Sequence, residues 1–323
     1  PETSAGHREN LERAFENKPF YRKSGRGDVE QALNHARVIE GEYSAPYLAH
    51  AAMEPLNATA QLKDGRLDIW AGNQFPTLAV QVGSRLTGLD NESVRVHTPN
   101  MGGGFGRRFA MDDVTAAVLA AQAIPGRPVR VTYPREEDFT HDTYRPLASA
   151  RFRASVADGK PAALDLEVSA PSIFASGNTR RHDLTGEPSK GIPKKDISIS
   201  MGASDQPYEI ENYRVTAYRA EDLLPIGWWR SVGSSQNCFF HESIMDELAH
   251  AAGADPLMMR LSLLKHRPSR RVLESVGEMS NWGSELPRGH ARGVAYSMFK
   301  KLATAAVIEI SHSDSGIEIV RAH

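Results

Sequence analysis

The sequence predicts an α+β fold in which mixed sheets pack against helices. Strand and helix patterns alternate through the first half of the chain, and Asp64-Gly65 and Asp158-Gly159 each separate two strand-like segments, as in a hairpin. The clearest helical pattern, over residues 239–253, lies in the second half. With 323 residues, of which 40% are hydrophobic, the chain can form one large or two medium domains.

The elements of the first half follow from periodicity and from the residues that end them. Apolar residues at helical spacing predict helices over residues 28–40 and 77–89, and a short strand follows over residues 93–99. A further helix is predicted from about Asp112 up to a Pro-Gly pair that ends it. Residues 127–133 are then typical of a strand.

The second half is less regular. Residues 171–212 contain scattered Gly, Pro, Ser and charged residues with little periodicity, which predicts a long irregular crossing before a strand over residues 213–220. Asp255 is a plausible N-cap with Pro256 at the first position of the following helix. Residues 305–323 are typical of strand, turn and strand.

These patterns divide the chain into three predicted segments. Residues 1–40 form a polar segment with a helix, and residues 41–172 and 173–323 form two larger units. Because the first residue is a proline and the last predicted strand is barely complete, we expect the sequence to be a piece of a longer protein.

The composition argues against several classes of protein. With 38 basic and 40 acidic residues, the chain has no long-range field that would favour nucleic acid or an anionic membrane. Its single cysteine, Cys238, cannot form an internal disulfide framework, an iron–sulfur cluster or a cysteine-rich zinc site. No apolar run approaches the ~18 residues of a membrane-spanning helix, and no signal-peptide pattern begins the chain.

A glycine-rich stretch, Gly102–Gly106 with Phe105 inside it, directly precedes the helix predicted from Asp112. Glycine is favoured where φ is positive or where a ligand lies against the main chain, and helix N-termini bind anions. A P-loop is excluded because Arg107 and Arg108 follow, and a dinucleotide motif because position 109 is phenylalanine. The alternatives are an anionic cofactor and a tight packing turn; three consecutive glycines favour the cofactor.

Three further islands of polar residues lie in predicted loops, at residues 49–60, 135–146 and 228–237. His50 and Glu54 are four residues apart, a spacing that would place two metal ligands on one helix face. The proline that follows favours a turn instead, so a metal at this pair is the weaker alternative.

The other two islands have structural interpretations as well. Residues 135–146 are expected to form a solvated charged turn whose acids and bases pair with each other. Trp228 and Trp229 are expected to pack in the core. Arg230 would be costly to bury unless an anion or a carboxylate meets it, so ligand contact is an open alternative there.

Four motifs, in their order along the chain, resemble those of the large molybdopterin-binding subunit of the molybdenum hydroxylases, the xanthine oxidase family. They are HAAMEPLNATA, GGGFGRR, RPVRVTYPREEDFTHDTYRP and the segment that begins RSVGSSQN. Within that family the chain most resembles isoquinoline 1-oxidoreductase β-subunits and related bacterial aldehyde dehydrogenases. The resemblance covers roughly residues 28–323 and implies part of the molybdopterin-binding large-subunit architecture.

The resemblance implies a molybdenum cofactor, as molybdopterin cytosine dinucleotide or molybdopterin itself, in which the dithiolene rather than a protein side chain holds the metal. Residues of this sequence that match the family's cofactor contacts are Gly103, Gly104, Phe105, Gly106 and Arg230. No protein ligand to the metal is expected.

The implied reaction is hydroxylation of an electron-poor carbon, with water as the oxygen source. Phe109 stands where purine-oxidising members have a glutamate, which disfavours purines and suits an N-heteroaromatic compound or an aldehyde. Glu54 is interpreted as structural or as part of the substrate pocket. The family's catalytic glutamate is expected beyond residue 323, so no residue here takes that role and this chain alone is expected to be inactive.

The implied partner is a small subunit that carries [2Fe–2S] clusters, because one cysteine cannot hold them. A cytochrome c is a further candidate acceptor. The resemblance implies a bacterial protein, and leaves the cytoplasm and the periplasm open. A function of another class, a non-catalytic module that serves assembly without a cofactor, is the alternative.

Overall fold

The structure is a computed structural model and describes residues 3–34 and 37–323. The strands are β1 (Tyr21–Arg26), β2 (Arg37–Ala45), β3 (Asn57–Lys63), β4 (Arg66–Ala71), β5 (Val94–His97), β6 (Val129–Thr132), β7 (Ala148–Ala157), β8 (Lys160–Ala170), β9 (Asn212–Arg219), β10 (His290–Phe299), β11 (Leu302–Ser313) and β12 (Gly316–Ala322).

The helices are α1 (Ser4–Glu16), α2 (Val29–Asn34), α3 (Pro76–Thr87), α4 (Asp112–Ala123), α5 (Arg135–Thr140), α6 (Ile173–Thr185), α7 (Ser234–Ala252), α8 (Pro256–Ser262) and α9 (Arg267–Met279). None of these helices, in the part of the chain that the structure describes, is both long and apolar enough to cross a bilayer.

A five-stranded sheet forms the largest core. Its strand order is β1-β9-β8-β7-β2, and only the β8–β9 pair is parallel. β8 is buried on both faces: Leu164 and Leu166 pack in the core that contains α7, whereas Ala163 packs against α2 and Ser169 donates to the Leu11 carbonyl of α1. Alternation along the strand therefore places α7 on one face and the two N-terminal helices on the other.

A four-stranded sheet positions the glycine-rich stretch. Its order is β5-β4-β3-β6, with only β4 and β5 parallel, and α3 and α4 cover one face. Ile69 of β4 packs with Val82 of α3 and Val118 of α4, all three fully buried. The chain leaves β5 at the edge of this sheet, passes through the glycines and enters α4.

A third sheet, the antiparallel meander β10-β11-β12, packs against α7 and α9 through β10 and β11. Val294 and Val307 join the core of the five-stranded sheet, whereas every residue of β12 is exposed.

The structure confirms the predicted α+β class with mixed sheets. Both hairpins are present: β3 pairs with β4 and β7 with β8. The two central residues of the first turn, Asp64 and Gly65, have φ of 50° and 72°, a turn that suits the right-handed twist of the paired strands. Asp255 caps α8 and accepts a hydrogen bond from the Met258 N–H at 2.8 Å, as predicted.

Three predicted elements have the wrong extent. The helix over residues 28–40 ends at Asn34, and β2 pairs with β7 from Arg37 onward; Ala36, which the helical pattern included, lies outside the described residues. The crossing over residues 171–212 contains α6, which the periodicity missed because only Ile173 and Ala175 of that helix are buried. The helix predicted from Asp255 ends at Ser262, and the following helix, α9, was not predicted.

The division into residues 1–40, 41–172 and 173–323 stays a prediction. The five-stranded sheet combines strands from all three segments: β1 from the first, β7 and β8 from the second and β9 from the third.

Candidate cofactor-binding site

The glycine loop, defined as residues 101–106, lies between β5 and a 3-10 turn at Arg107–Phe109 that precedes α4. Its backbone is left-handed at three positions, since φ is 103° at Gly103, 53° at Phe105 and 108° at Gly106. A positive φ at a phenylalanine is uncommon, and such outliers concentrate at functional sites. The Phe105 ring is 40% exposed.

Atoms of this chain lie close to all four glycines of the loop, and a Cβ added to Gly103 would lie 2.9 Å from Cε2 of Phe105. A Cβ added to Gly102 would lie 2.6 Å from the Cβ of Glu54, and one added to Gly104 would lie 2.6 Å from Oε1 of Gln74. A Cβ on Gly106 would lie only 1.3 Å from the Trp228 carbonyl oxygen. Packing within the chain therefore already requires glycine at Gly106, which faces a backbone carbonyl, whereas at Gly104 the flexible end of Gln74 could move aside.

Three consecutive N–H groups of the glycine loop differ from their neighbours in having no acceptor among the described residues. In the described part of the chain, the backbone N–H groups of Gly103, Gly104 and Phe105 have no hydrogen-bond acceptor, whereas those on either side do. The N–H of Gly102 donates to Glu54 Oε2 at 2.7 Å, and that of Gly106 donates to Gln74 Oε1 at 2.8 Å. Successive free N–H groups form a concave site for an anion or a polarised oxygen.

Arg108, one of the two buried arginines after the loop, holds it in place. Its guanidinium donates to the carbonyls of Gly103 at 2.9 Å, Gly72 at 3.0 Å and Glu54 at 3.1 Å, and it pairs with the Glu54 carboxylate at 3.0 Å. Burial raises the pKa of that carboxyl, but hydrogen bonds from Asn57 and the Gly102 N–H, together with Arg108, bring it below its usual value. Glu54 therefore acts as an ionised brace for the loop.

Arg107 lies in a buried cluster of acids. It contacts Asp138 at 3.0 Å, Asp112 at 2.6 Å and Asp142 at 3.1 Å, and its side chain is 1% exposed. Burial lowers the pKa of the guanidinium, but the carboxylates raise it by more, so the net shift is upward. Residues 135–146 thus differ from the predicted solvated turn, because Asp138 and Asp142 point inward and pair with Arg107.

His50 links this cluster to the tryptophan loop, defined as residues 228–233. Its Nδ1 lies 2.8 Å from Asp142 Oδ1, and its Nε2 lies 2.9 Å from the Trp228 carbonyl oxygen. Each ring nitrogen of His50 thus faces an oxygen atom, so this side chain joins the acid cluster to the tryptophan loop. Burial raises the pKa of Asp142, yet His50 and then Arg107 outweigh it and the net pKa lies below its usual value.

The tryptophan loop contains a second strained stretch beside the glycines. Ser231 and Val232 have φ of 64° and 55°, and such a conformation at a β-branched residue is a clear outlier. Both tryptophans are half-buried rather than in the core, and Trp229 Nε1 donates to the Ala49 carbonyl at 3.2 Å. Arg230 is exposed, with its guanidinium carbon 5.9 Å from the Phe105 ring centroid. The Arg230 and Phe105 side chains therefore lie next to each other at the glycine loop.

A cavity of about 230 Å³ opens next to Gly106 and Trp228. Phe109 lines it together with aromatic rings from α6 and from the start of α3, and its role in a substrate pocket stays a prediction. Glu54 does not line this cavity, because its oxygens are bound by the glycine loop and Arg108.

The alternative of a metal at His50 and Glu54 has no support in the geometry. The two side chains do not lie on a helix, and all their ring nitrogens and carboxylate oxygens contact other groups. Among the described residues, no group of three or more His, Cys, Asp and Glu side chains could hold a metal ion.

Sequence reasoning identified the four islands but missed the residues that join them. Arg107, Arg108 and Asp142 were noted only as parts of motifs, and His50 only as a possible ligand. A usable signal was present, since two adjacent arginines between a glycine stretch and an apolar helix are difficult to bury without partners.

The fold and this site define a domain of mixed α and β structure whose candidate ligand surface lies on loops between sheets and helices. A family model described as the molybdopterin cofactor-binding domain matches residues 12–263, and the chain belongs to this family. The resemblance to molybdenum hydroxylase large subunits is thereby confirmed at the level of the family.

Two relatives illustrate the range of the family. The chain is 31% identical to the membrane-bound aldehyde dehydrogenase (pyrroloquinoline-quinone) of Gluconacetobacter polyoxogenes, over 83% of this chain and 37% of that protein. It is 28% identical to isoquinoline 1-oxidoreductase subunit beta of Brevundimonas diminuta, over 89% of this chain and 37% of that protein. The chain therefore spans little more than a third of the length of these relatives.

A solved structure shares the fold. The aldehyde oxidoreductase from Desulfovibrio gigas superposes with a TM-score of 0.64 at 19% identity, over 86% of this chain and 32% of that one.

Proposed function

We propose that this chain forms part of a molybdenum-dependent oxidoreductase that hydroxylates the carbon of an N-heteroaromatic compound or an aldehyde with water as the oxygen source. The observation that carries the proposal is the surface made by the three free N–H groups of Gly103–Phe105, the exposed Phe105 ring and Arg230. The family match and the names of the relatives, an aldehyde dehydrogenase and an isoquinoline oxidoreductase, support it.

The residues present fit the molybdenum end of the pterin cofactor. That group is rich in anionic and polarised oxygen and sulfur atoms, and it would supply the two-electron oxidation chemistry. The free N–H groups would donate to such atoms, and Arg230 would add a cation with a planar set of donors. We assign Gly103, Gly104, Phe105, Gly106 and Arg230 to this contact and Phe109 to the adjoining substrate pocket.

The rest of the chain would hold this surface rigid. Arg108 and Glu54 hold the glycine loop through hydrogen bonds and an ion pair. The contacts from Arg107 to Asp142 and from Asp142 to His50 hold the tryptophan loop against Gly106. A preorganised set of donors stabilises developing charge without rearrangement during the reaction.

The remaining parts of the activity lie outside this chain. We propose a catalytic glutamate beyond residue 323, a cytosine dinucleotide form of the cofactor and a separate subunit with [2Fe–2S] clusters, with a cytochrome c as a further acceptor. Glu54 is assigned to bracing the loop, since Asn57, the Gly102 N–H and Arg108 already bind its oxygens. These 323 residues alone should not turn over isoquinoline or an aldehyde with a dye acceptor, because the base is absent.

The test uses the full-length protein with its partner subunit. Arg230→Lys keeps the charge but loses the planar fork, so we expect full molybdenum content with kcat/KM lowered by ~10²-fold. The exposed hairpin residue Arg66 supplies the matched control, Arg66→Lys, which should leave both quantities unchanged. Metal analysis by mass spectrometry also separates a molybdenum cofactor from a quinone.

A second variant tests the loop itself. Gly104→Val should give protein depleted of molybdenum, because the side chain would intrude on the ligand surface and on Gln74. Gln74→Ala is its control, since it removes the hydrogen bond to the Gly106 N–H without filling the space over the loop. Full molybdenum content and normal rates in Gly104→Val would mean that the loop is a packing turn, as in a module without cofactor.

A further inference from the structure

The cavity beside the glycine loop has aromatic walls. The Phe75 and Phe109 rings meet edge to face with centroids 5.9 Å apart, and the Phe174 and Trp228 rings do so at 4.8 Å. At about 230 Å³ the cavity exceeds the ~150 Å³ that accept a benzene ring in a protein core. It therefore has the size and the chemistry for a planar ligand of one or two aromatic rings.

Arg180, on the same helix as Phe174, adds a cation to this apolar wall. Its side chain is 28% exposed, and burial lowers the pKa of its guanidinium. The guanidinium makes no hydrogen bond within residues 3–34 and 37–323. Its nearest carboxylate oxygen, on Asp112, lies 3.8 Å away, and the other oxygen of Asp112 is already bound by Arg107 at 2.6 Å.

The adjacent arginine shows the contrast. Arg181 also borders the cavity, but its Nε and Nη2 lie 3.1 Å and 3.0 Å from the carboxylate of Glu187. Of these two arginines, Arg180 is thus the one whose guanidinium has no hydrogen-bond acceptor among the described residues. An arginine cannot lose its charge, so a largely buried one with unused donors is stabilised by any anion that reaches it.

We propose that Arg180 binds the carboxylate of an aromatic ligand whose ring lies in this cavity, so that the substrates preferred at the site are aromatic carboxylates. The planar guanidinium fork matches a carboxylate with two parallel hydrogen bonds, and the rings of Phe109 and Trp228 hold the aromatic part. That this ligand is the substrate rests on the proposed function; the binding itself does not.

The test measures binding to the full-length protein by titration calorimetry, with quinoline-4-carboxylate and its uncharged carboxamide as probes. Arg180→Gln should weaken binding of the carboxylate on the order of 10- to 100-fold, the effect of losing charge-assisted hydrogen bonds. The carboxamide should change less than about threefold. The control Arg181→Gln should change neither, because that guanidinium is held by Glu187.

Several results would overturn the inference: no preference of the unaltered protein for the carboxylate, equal weakening of both probes by Arg180→Gln, or no effect of that variant. Turnover measured on the same preparations separates the two proposals. Arg180-dependent carboxylate binding without turnover of any heteroaromatic compound or aldehyde would leave the inference standing and refute the proposed function. Turnover together with carboxylate binding that does not depend on Arg180 would refute the inference and leave the proposed function standing.

Discussion

Alanine at Gly106 should break the contact between the glycine loop and the tryptophan loop. The new Cβ would lie 1.3 Å from the Trp228 carbonyl oxygen and 3.1 Å from Nε2 of His50, so that carbonyl must move and its hydrogen bond from His50 must break. Backbone strain at a φ of 108° costs about 1–3 kcal/mol. A buried donor left without its acceptor costs about 1–3 kcal/mol more, so the expected loss is roughly 2–6 kcal/mol.

Gly65 offers a matched control for the strain alone. Its φ is 72°, and an added Cβ would meet nothing within 4 Å, so Gly65→Ala should cost only about 1–2 kcal/mol. The urea-unfolding midpoint of the full-length protein, followed by tryptophan fluorescence, compares the two variants on one scale. Equal losses in both, or unchanged stability in Gly106→Ala, would refute the packing argument for the joint between the loops.

Three other substitutions test the buried charges through urea unfolding at several pH values. Because the pKa of Asp142 is lowered, its pairing with His50 stabilises the fold above the usual carboxyl pKa, and this stability is lost as pH falls through the lowered value. Asp142→Asn should therefore lower the free energy of unfolding by about 3–5 kcal/mol at pH 7 and by little at acid pH. Burial raises the pKa of Asp113 to about 6, so the folded protein retains this proton to a higher pH than the unfolded chain does. The free energy of unfolding should therefore fall by ~3 kcal/mol as the pH rises from about 4 through 6. Asp113→Asn should remove that loss of stability. If the free energy of unfolding of this variant depended on pH between 4 and 7 as it does in the unaltered protein, the prediction would be contradicted. Arg260→Met leaves Glu242 buried without its cation and should cost about 3–5 kcal/mol; a loss under about 1 kcal/mol would contradict the pairing.

Local rules accounted for most of the individual elements near the site. The hairpin at Asp64-Gly65, the helix that starts at Asp112 and the cap at Asp255 each depend on residues within a few positions of one another. Where such signals conflict or are weak, prediction failed. Arg37 begins a strand inside a helical pattern because it pairs with β7, more than 100 residues away, and α6 buries too few residues to show a periodicity.

The glycine loop shows what a sequence can and cannot say about one position. Consecutive glycines indicate that side chains are excluded, because any other residue would be strained or would collide. They do not indicate what occupies the space. Here the Trp228 carbonyl lies against Gly106 and the Gln74 side chain against Gly104, while the N–H groups between them stay free.

The sequence by itself determined the α+β class, the hairpins and the starts of α2, α3, α4 and α8, and it marked the four islands that carry the chemistry. Only the tertiary structure decided that these islands meet. His50 contacts Asp142 across 92 residues and the Trp228 carbonyl across 178, and Arg180 lies by the cavity on a helix that the periodicity missed. The physical reason is that backbone sterics and periodic burial act within a few residues, whereas a buried charge is stabilised by whichever opposite charge the whole fold brings to it.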